Sequence, residues 1–191
     1  MSPIRSILRL ACLLALILVT SACTRSLGPY TPPTEAGRDS LKAQRLTQQA
    51  AKESDPAKAE ALLREALTAD LYHGPAHNNL GVIMLGRGDL YSAASEFEWA
   101  KKLMPGHPDP RMNLALTMEK AGRTEEALTA YASALEVYEG HIPTVQAMTR
   151  LRLKSGKPDD SIKAMLEEIA LRGESPAWRE WARGQLTRVE R

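Results

Sequence analysis

Cysteine is scarce in this sequence: two in 191 residues, at Cys12 and Cys23, both near the start. Charge of one sign is missing as well. Lys and Arg total 25 against 23 Asp and Glu, and the excess equals Arg5 and Arg9 near the N-terminus. Without these two the chain is formally neutral, which removes the sequence-independent attraction to nucleic acid or to an anionic membrane surface. No long hydrophobic run is present. The apolar stretch Leu10 to Val19 is about half of the ~20 residues that a spanning helix needs. Catalytic signatures are absent too: there is no H-E-x-x-H, no G-x-S-x-G and no phosphate loop, and Gly86-Arg87-Gly88 lacks the third glycine of a dinucleotide turn. The acidic residues, such as Glu125-Glu126 and Glu167-Glu168, read as solvated helix surface. The length excludes a large multi-domain enzyme, and no cofactor or small-molecule substrate is expected.

What is present begins with an address. Arg5 and Arg9 form a positive segment, Leu10 to Val19 an apolar one, and Thr20, Ser21 and Ala22 are small residues before Cys23, the anatomy of a secretory signal. Val19-Thr20-Ser21-Ala22-Cys23 resembles the lipobox of bacterial lipoproteins, with Thr20 where leucine is commoner. The resemblance implies cleavage after residue 22, acylation of Cys23 and a mature chain held by two or three acyl chains, since a single chain gives only reversible attachment. Thr24, where an aspartate would retain the protein at the inner membrane, implies the periplasmic face of the outer membrane in a Gram-negative cell. A non-lipidated secreted protein and a retained N-terminal anchor are the rival outcomes. With Cys12 removed and Cys23 acylated, no thiol is left for a disulfide, a redox pair or a metal site.

Residues 23–39 contain Gly28, Pro29, Pro32, Pro33 and Gly37, which break any helical or strand period, so this stretch is read as a flexible tether. From Ser40 the chain repeats itself. Gly88, Gly122 and Gly156 are spaced by 34 residues, as are Ala93 and Ala127, Phe97 and Tyr131, Ala100 and Ala134, and Leu80 and Leu114; Ala59, Leu63 and Ala66 extend the frame upstream. The units are 40–73, 74–107, 108–141 and 142–173.

These residues resemble the tetratricopeptide repeat (TPR). The resemblance implies an all-α, right-handed solenoid of about four helix-turn-helix units. Leu80, Gly81, Ala93, Phe97, Ala100 and Pro105 carry it in the second unit, and Leu114, Ala115, Ala127, Tyr131 and Ala134 in the third. The first unit has Thr47 at the small position, and the fourth has Thr149, Ser161 and Met165 in place of the small and aromatic residues. Physical signals agree. Pro75, Pro110 and Pro143 suit the starts of first helices and Pro56 and Pro158 those of second helices, while the glycines at position 15 suit the chain reversal. Residues 174–191 begin with Ser175-Pro176 and place Trp178, Trp181, Ala182, Leu186 and Val189 on one helical face, with Arg179, Arg183, Glu190 and Arg191 elsewhere. This is the pattern of a capping helix, or of a partner-binding helix.

By comparison with the family, first-helix positions project into a peptide-binding groove. Here they include Gln44, Arg45, Gln48, Asn78, Asn79, Val82, Leu85, Met112, Asn113, Leu116, Glu119, Gln146, Arg150 and Leu153. Asn79 and Asn113 share position 6, and each amide offers one acceptor and two donors to an extended backbone. Either they form a short peptide-holding ladder or they bond locally and keep helices in register. The family's clamp for chaperone tails is missing, since position 2 holds Pro75, Asp109 and Pro143. His73, His107 and His141 fall at position 34, too far apart for one zinc ion, and are read as loop packing; His77 is read as structural or groove-lining. The resemblance implies a scaffold whose partners are envelope proteins or extended peptide segments, reached from a lipid-anchored position. It serves either a pilus or secretion assembly of the Tad/Flp type or cell-wall enzymes and their proteases.

Overall fold

The chain divides into two units, Met1–Pro33 and Thr34–Arg191. The computed structural model describes residues 37–156 and 158–189. The segment read from sequence as a signal (1–22), Cys23 and the first part of the segment read as a tether (to residue 36) lie outside the described residues, as do Lys157, Glu190 and Arg191.

The described residues form nine helices and no strand: α1 (Ser40–Ala50), α2 (Pro56–Ala69), α3 (Gly74–Arg87), α4 (Leu90–Leu103), α5 (Asp109–Lys120), α6 (Thr124–Val137), α7 (Ile142–Lys154), α8 (Ile162–Arg172) and α9 (Pro176–Val189). Each helix packs on the next along the chain, giving the pairs α1/α2, α3/α4, α5/α6 and α7/α8, with α9 laid on α8. Aspartate side chains cap the starts of α1, α2 and α4. Asp39 accepts from Lys42 N at 2.8 Å and Asp55 from Ala57 N at 2.9 Å, with Pro56 at the first turn, where its missing N–H is not needed. Gly88, Gly122 and Gly156 turn the chain between paired helices at φ +82°, +77° and +67°, a left-handed backbone that favours glycine.

Contacts with the first helix pair begin ahead of Ser40. Asp39 N donates to the Ala69 carbonyl at 2.9 Å, and Arg38 Nε donates to the buried Asp70 carboxylate at 2.9 Å. The last residues of the segment read as tether thus belong to the first helix pair.

Small residues allow close helix approach, and larger ones fill the seam. Ala59, Ala66, Ala93, Ala100, Ala127 and Ala134 are buried, around the fully buried Leu63, Phe97 and Tyr131. At position 8 the two threonines fit because each hydroxyl bonds back along its own helix, Thr47 to the Ala43 carbonyl at 2.8 Å and Thr149 to the Val145 carbonyl at 2.7 Å.

The fourth pair departs from the frame. Pro158, expected near the start of its second helix, stands four residues before Ile162. Asp159 holds the intervening turn: its carboxylate accepts from Ser161 N at 3.0 Å and pairs with Arg152 at 2.6 Å, and its carbonyl accepts from Ile162 N at 3.0 Å. Ile162, Leu166 and Ile169 are buried together with Val145 of α7 and Ala182 of α9, and Trp178, Trp181 and Leu186 pack against them. The two tryptophans meet edge to face, with ring centroids 5.1 Å apart. Val189, expected on the same face, is the last residue of α9 and is exposed.

Candidate peptide-binding groove

The first helices α1, α3, α5 and α7 carry the residues expected to face a ligand, and their environments differ. Gln44, Arg45 and Gln48 are exposed on α1; Asn78, Asn79, Met112, Asn113 and Leu116 are half-buried; Val82 is 47% exposed; Leu85 is buried in the core of the first two helix pairs, and Leu153 packs against the separate cluster of Val145, Ile162 and Leu166.

The asparagines of α3 and α5 form a connected chain, though not between the two position-6 residues. Asn113 Nδ2 donates to Asn78 Oδ1 at 3.0 Å, and Asn78 Nδ2 donates to Asn79 Oδ1 at 3.4 Å. Asn113 and Asn78 therefore tie α5 to α3 directly. Asn79 stands at the end of the chain, and its Nδ2 has no partner among the described residues. It borders a hollow of about 350 Å³ between the α1–α2 turn and α3, lined by Ala51, Pro56, Leu63, Val82 and Ile83, with Glu53 at its edge. Spare amide N–H donors beside an apolar hollow can hold a backbone carbonyl while a neighbouring side chain is buried.

Farther along the stack the first helices are closed by their own bonds. Arg150 of α7 donates to both oxygens of Glu119 of α5 at 2.9 and 3.0 Å, and the Tyr131 hydroxyl donates to the same carboxylate at 3.1 Å. Burial, and then the Glu119 charge, hold the Tyr131 phenol above the usual tyrosine range, so it remains a donor. Gln146 does not line a groove. It is 2% exposed, its Nε2 donates to Glu174 Oε2 at 2.9 Å, and its Oε1 accepts from Glu174 N at 3.0 Å, so the amide fastens α7 to the α8–α9 connection. Of the expected residues, the structure brings Asn79 and Val82 to one hollow, while Asn78, Asn113, Gln146 and Arg150 are engaged within the fold. Sequence spacing missed Asn78 as the acceptor because it is out of phase with position 6 by one residue. The Glu119–Arg150 pair also joins different positions of their units, which a search at fixed period does not reveal.

The histidines hold loops and helix starts. His141 lies 2.7 Å from Thr144 Oγ1 through Nδ1 and 3.0 Å from Asp109 Oδ1 through Nε2. His107 Nδ1 is 3.4 Å from the Asp109 N–H, which donates to it, and His73 precedes α3 with burial holding its imidazole below the usual range. His77 is buried, with Nδ1 2.6 Å from Glu96 Oε2, Nε2 2.8 Å from the Leu71 carbonyl and its face stacked on Trp99.

Solved structures with the same arrangement decide the fold. A tetratricopeptide repeat protein from Parabacteroides merdae superposes with a TM-score of 0.59 at 20% identity, over 76% of this chain and 61% of that one. The fold is a tetratricopeptide-repeat solenoid. The same TPR arrangement superposes on the Cut9–Hcn1 hetero-tetramer of the APC/C (TM-score 0.64, 18% identity, 75% of this chain and 29% of that one). It also superposes on the first TPR of Spaghetti (RPAP3), solved bound to an HSP90 peptide (TM-score 0.59, 17% identity, 63% and 98%). Among curated proteins, Tetratricopeptide repeat protein 8 of Mus musculus is 26% identical over 94 residues, which is 49% of this chain and 18% of that protein. Its Caenorhabditis elegans counterpart is 31% identical over 76 residues, 40% of this chain and 14% of that protein. This chain thus spans less than a fifth of the length of those relatives. No family model matches it.

Proposed function

We propose that the chain is a protein-interaction scaffold tethered to a membrane of a bacterial cell envelope, lipidated at Cys23, and that its groove holds an extended segment of an envelope protein. The observation that carries this reading is the Asn79 Nδ2, without a partner among the described residues, beside the apolar hollow that reaches Val82. It offers the two things an unstructured segment needs, a polar partner for its backbone and a dry place for one side chain. Support for the anchor comes from Arg5, Arg9, the apolar run to Val19 and the small residues before Cys23; Thr24 favours the outer membrane. Among the described residues no helix is long and apolar enough to cross a membrane. The role we favour is non-catalytic, without a cofactor: assisting assembly of a pilus, secretion or other outer-membrane complex.

Two experiments test this together. Radioactive palmitate should label the wild-type chain and not Cys23→Ala; equal labelling of both overturns the anchor. A photo-cross-linking residue at Val82 should capture one envelope protein that the same residue at the 89% exposed Tyr91 does not; equal capture at both sites overturns the groove.

A further inference from the structure

A second hollow, of about 310 Å³, opens between α4, α5 and α6, on helix faces that do not carry Asn79. Its floor is Leu114 and Met118 of α5, its wall Ala130 and Ser133 of α6, and Arg111 stands at its mouth. The preceding repeat explains the space. One period of 34 residues earlier, the positions of Arg111, Ala130 and Ser133 are occupied by His77, Glu96 and Trp99. In that repeat Glu96 reaches His77 at 2.6 Å and Trp99 stacks on His77 with ring centroids 5.7 Å apart and planes 14° from parallel. The third repeat keeps the apolar floor and has Arg111 where the imidazole stood, but the carboxylate has become a methyl group and the indole a hydroxymethyl.

Charge at the rim points the same way. Lys101 pairs with Glu98 at 2.7 Å, and Glu126 pairs with Arg123. Arg111 donates one long bond of 3.4 Å to the His107 carbonyl and meets no carboxylate among the described residues. An Arg with spare donors at the edge of an apolar hollow favours a ligand that brings a carboxylate and a large apolar group together.

The geometry points to a second docking site here, for a segment of a partner protein that carries an aromatic side chain with an acidic residue beside it in sequence. The aromatic ring takes the place that Trp99 holds one repeat earlier, and the carboxylate pairs with Arg111 as Glu96 pairs with His77. This site is separate from the Asn79 groove and does not depend on it.

The test uses the full chain and an acetylated, amidated dipeptide of 5-fluorotryptophan and glutamate, observed by the broadening of its fluorine resonance at millimolar concentration. Wild-type chain should broaden the line. The glutamine version of the probe, which cannot pair with Arg111, should bind about tenfold more weakly, as expected for loss of a charge-assisted bond. Ser133→Trp refills the hollow from within and should abolish broadening. Ala130→Glu supplies the carboxylate from α6 and should weaken binding about tenfold. Both variants fill open space, and circular dichroism shows whether each is folded. Asn79→Ala should bind like the wild type. No broadening by wild type, equal binding of both probes, or unchanged binding by a folded Ser133→Trp or Ala130→Glu would overturn the site.

Discussion

A methyl group added to Gly81 would lie 2.6 Å from Cε1 of Phe97, closer than side-chain carbons pack, so α3 and α4 approach at a distance set by this pair. The third repeat reaches a similar seam with Ala115 and Tyr131, both fully buried. Gly81→Ala should therefore destabilise the chain by about 1–3 kcal/mol through overpacking, despite alanine's better helix propensity. Chemical denaturation of the variant reads this directly.

The Asn113–Asn78 bond joins neighbouring first helices, whereas Asn79 has amide donors to spare. Asn113→Ala should lower unfolding free energy by roughly 0.5–1.5 kcal/mol, the usual net worth of such a bond. Asn79→Ala should leave it within about 0.5 kcal/mol of wild type, as expected where only one long, part-buried bond is lost.

Asp70 gives a pH dependence with a definite sign. Burial raises its carboxyl pKa, but bonds from Arg38, Ser40 and the Tyr72 N–H together outweigh this and hold it below the usual carboxylate value. A depressed folded pKa stabilises the fold above the unfolded value of about 4 and ceases to do so as pH falls through the folded one. Acid titration of wild type should show this loss below about pH 4, and Asp70→Asn should be less stable at neutral pH and flatter across that range.

Trp178 and Trp181 are half-buried against the cluster of α7 and α8. Replacing both with alanine should cost at least about 2 kcal/mol and lower the melting temperature. Unchanged melting with lost partner binding would instead make α9 a contact surface.

Much of the fold is legible because it is periodic. Phe97, Tyr131 and the alanines recur at one spacing, so one unit predicts the next, and Gly88, Gly122 and Gly156 take the left-handed turn their spacing implies. The fourth unit is less legible: a local carboxylate turn at Asp159, invisible to repeat arithmetic, delays α8 by a turn. The site was legible only by position. Which polar side chains are free depends on partners such as Glu174 for Gln146 and Glu119 for Arg150, 28 and 31 residues away, and no first-helix pattern encodes them.

In the proposed groove Asn79, and not its bonded neighbours, contacts the partner. The direct measurement is an in vivo cross-linking pull-down of the full chain, read by mass spectrometry, with wild type, Asn79→Ala and a folded Asn113→Ala run side by side. One envelope protein captured by wild type and Asn113→Ala but lost from Asn79→Ala is the predicted result. Equal capture by wild type and Asn79→Ala would contradict it.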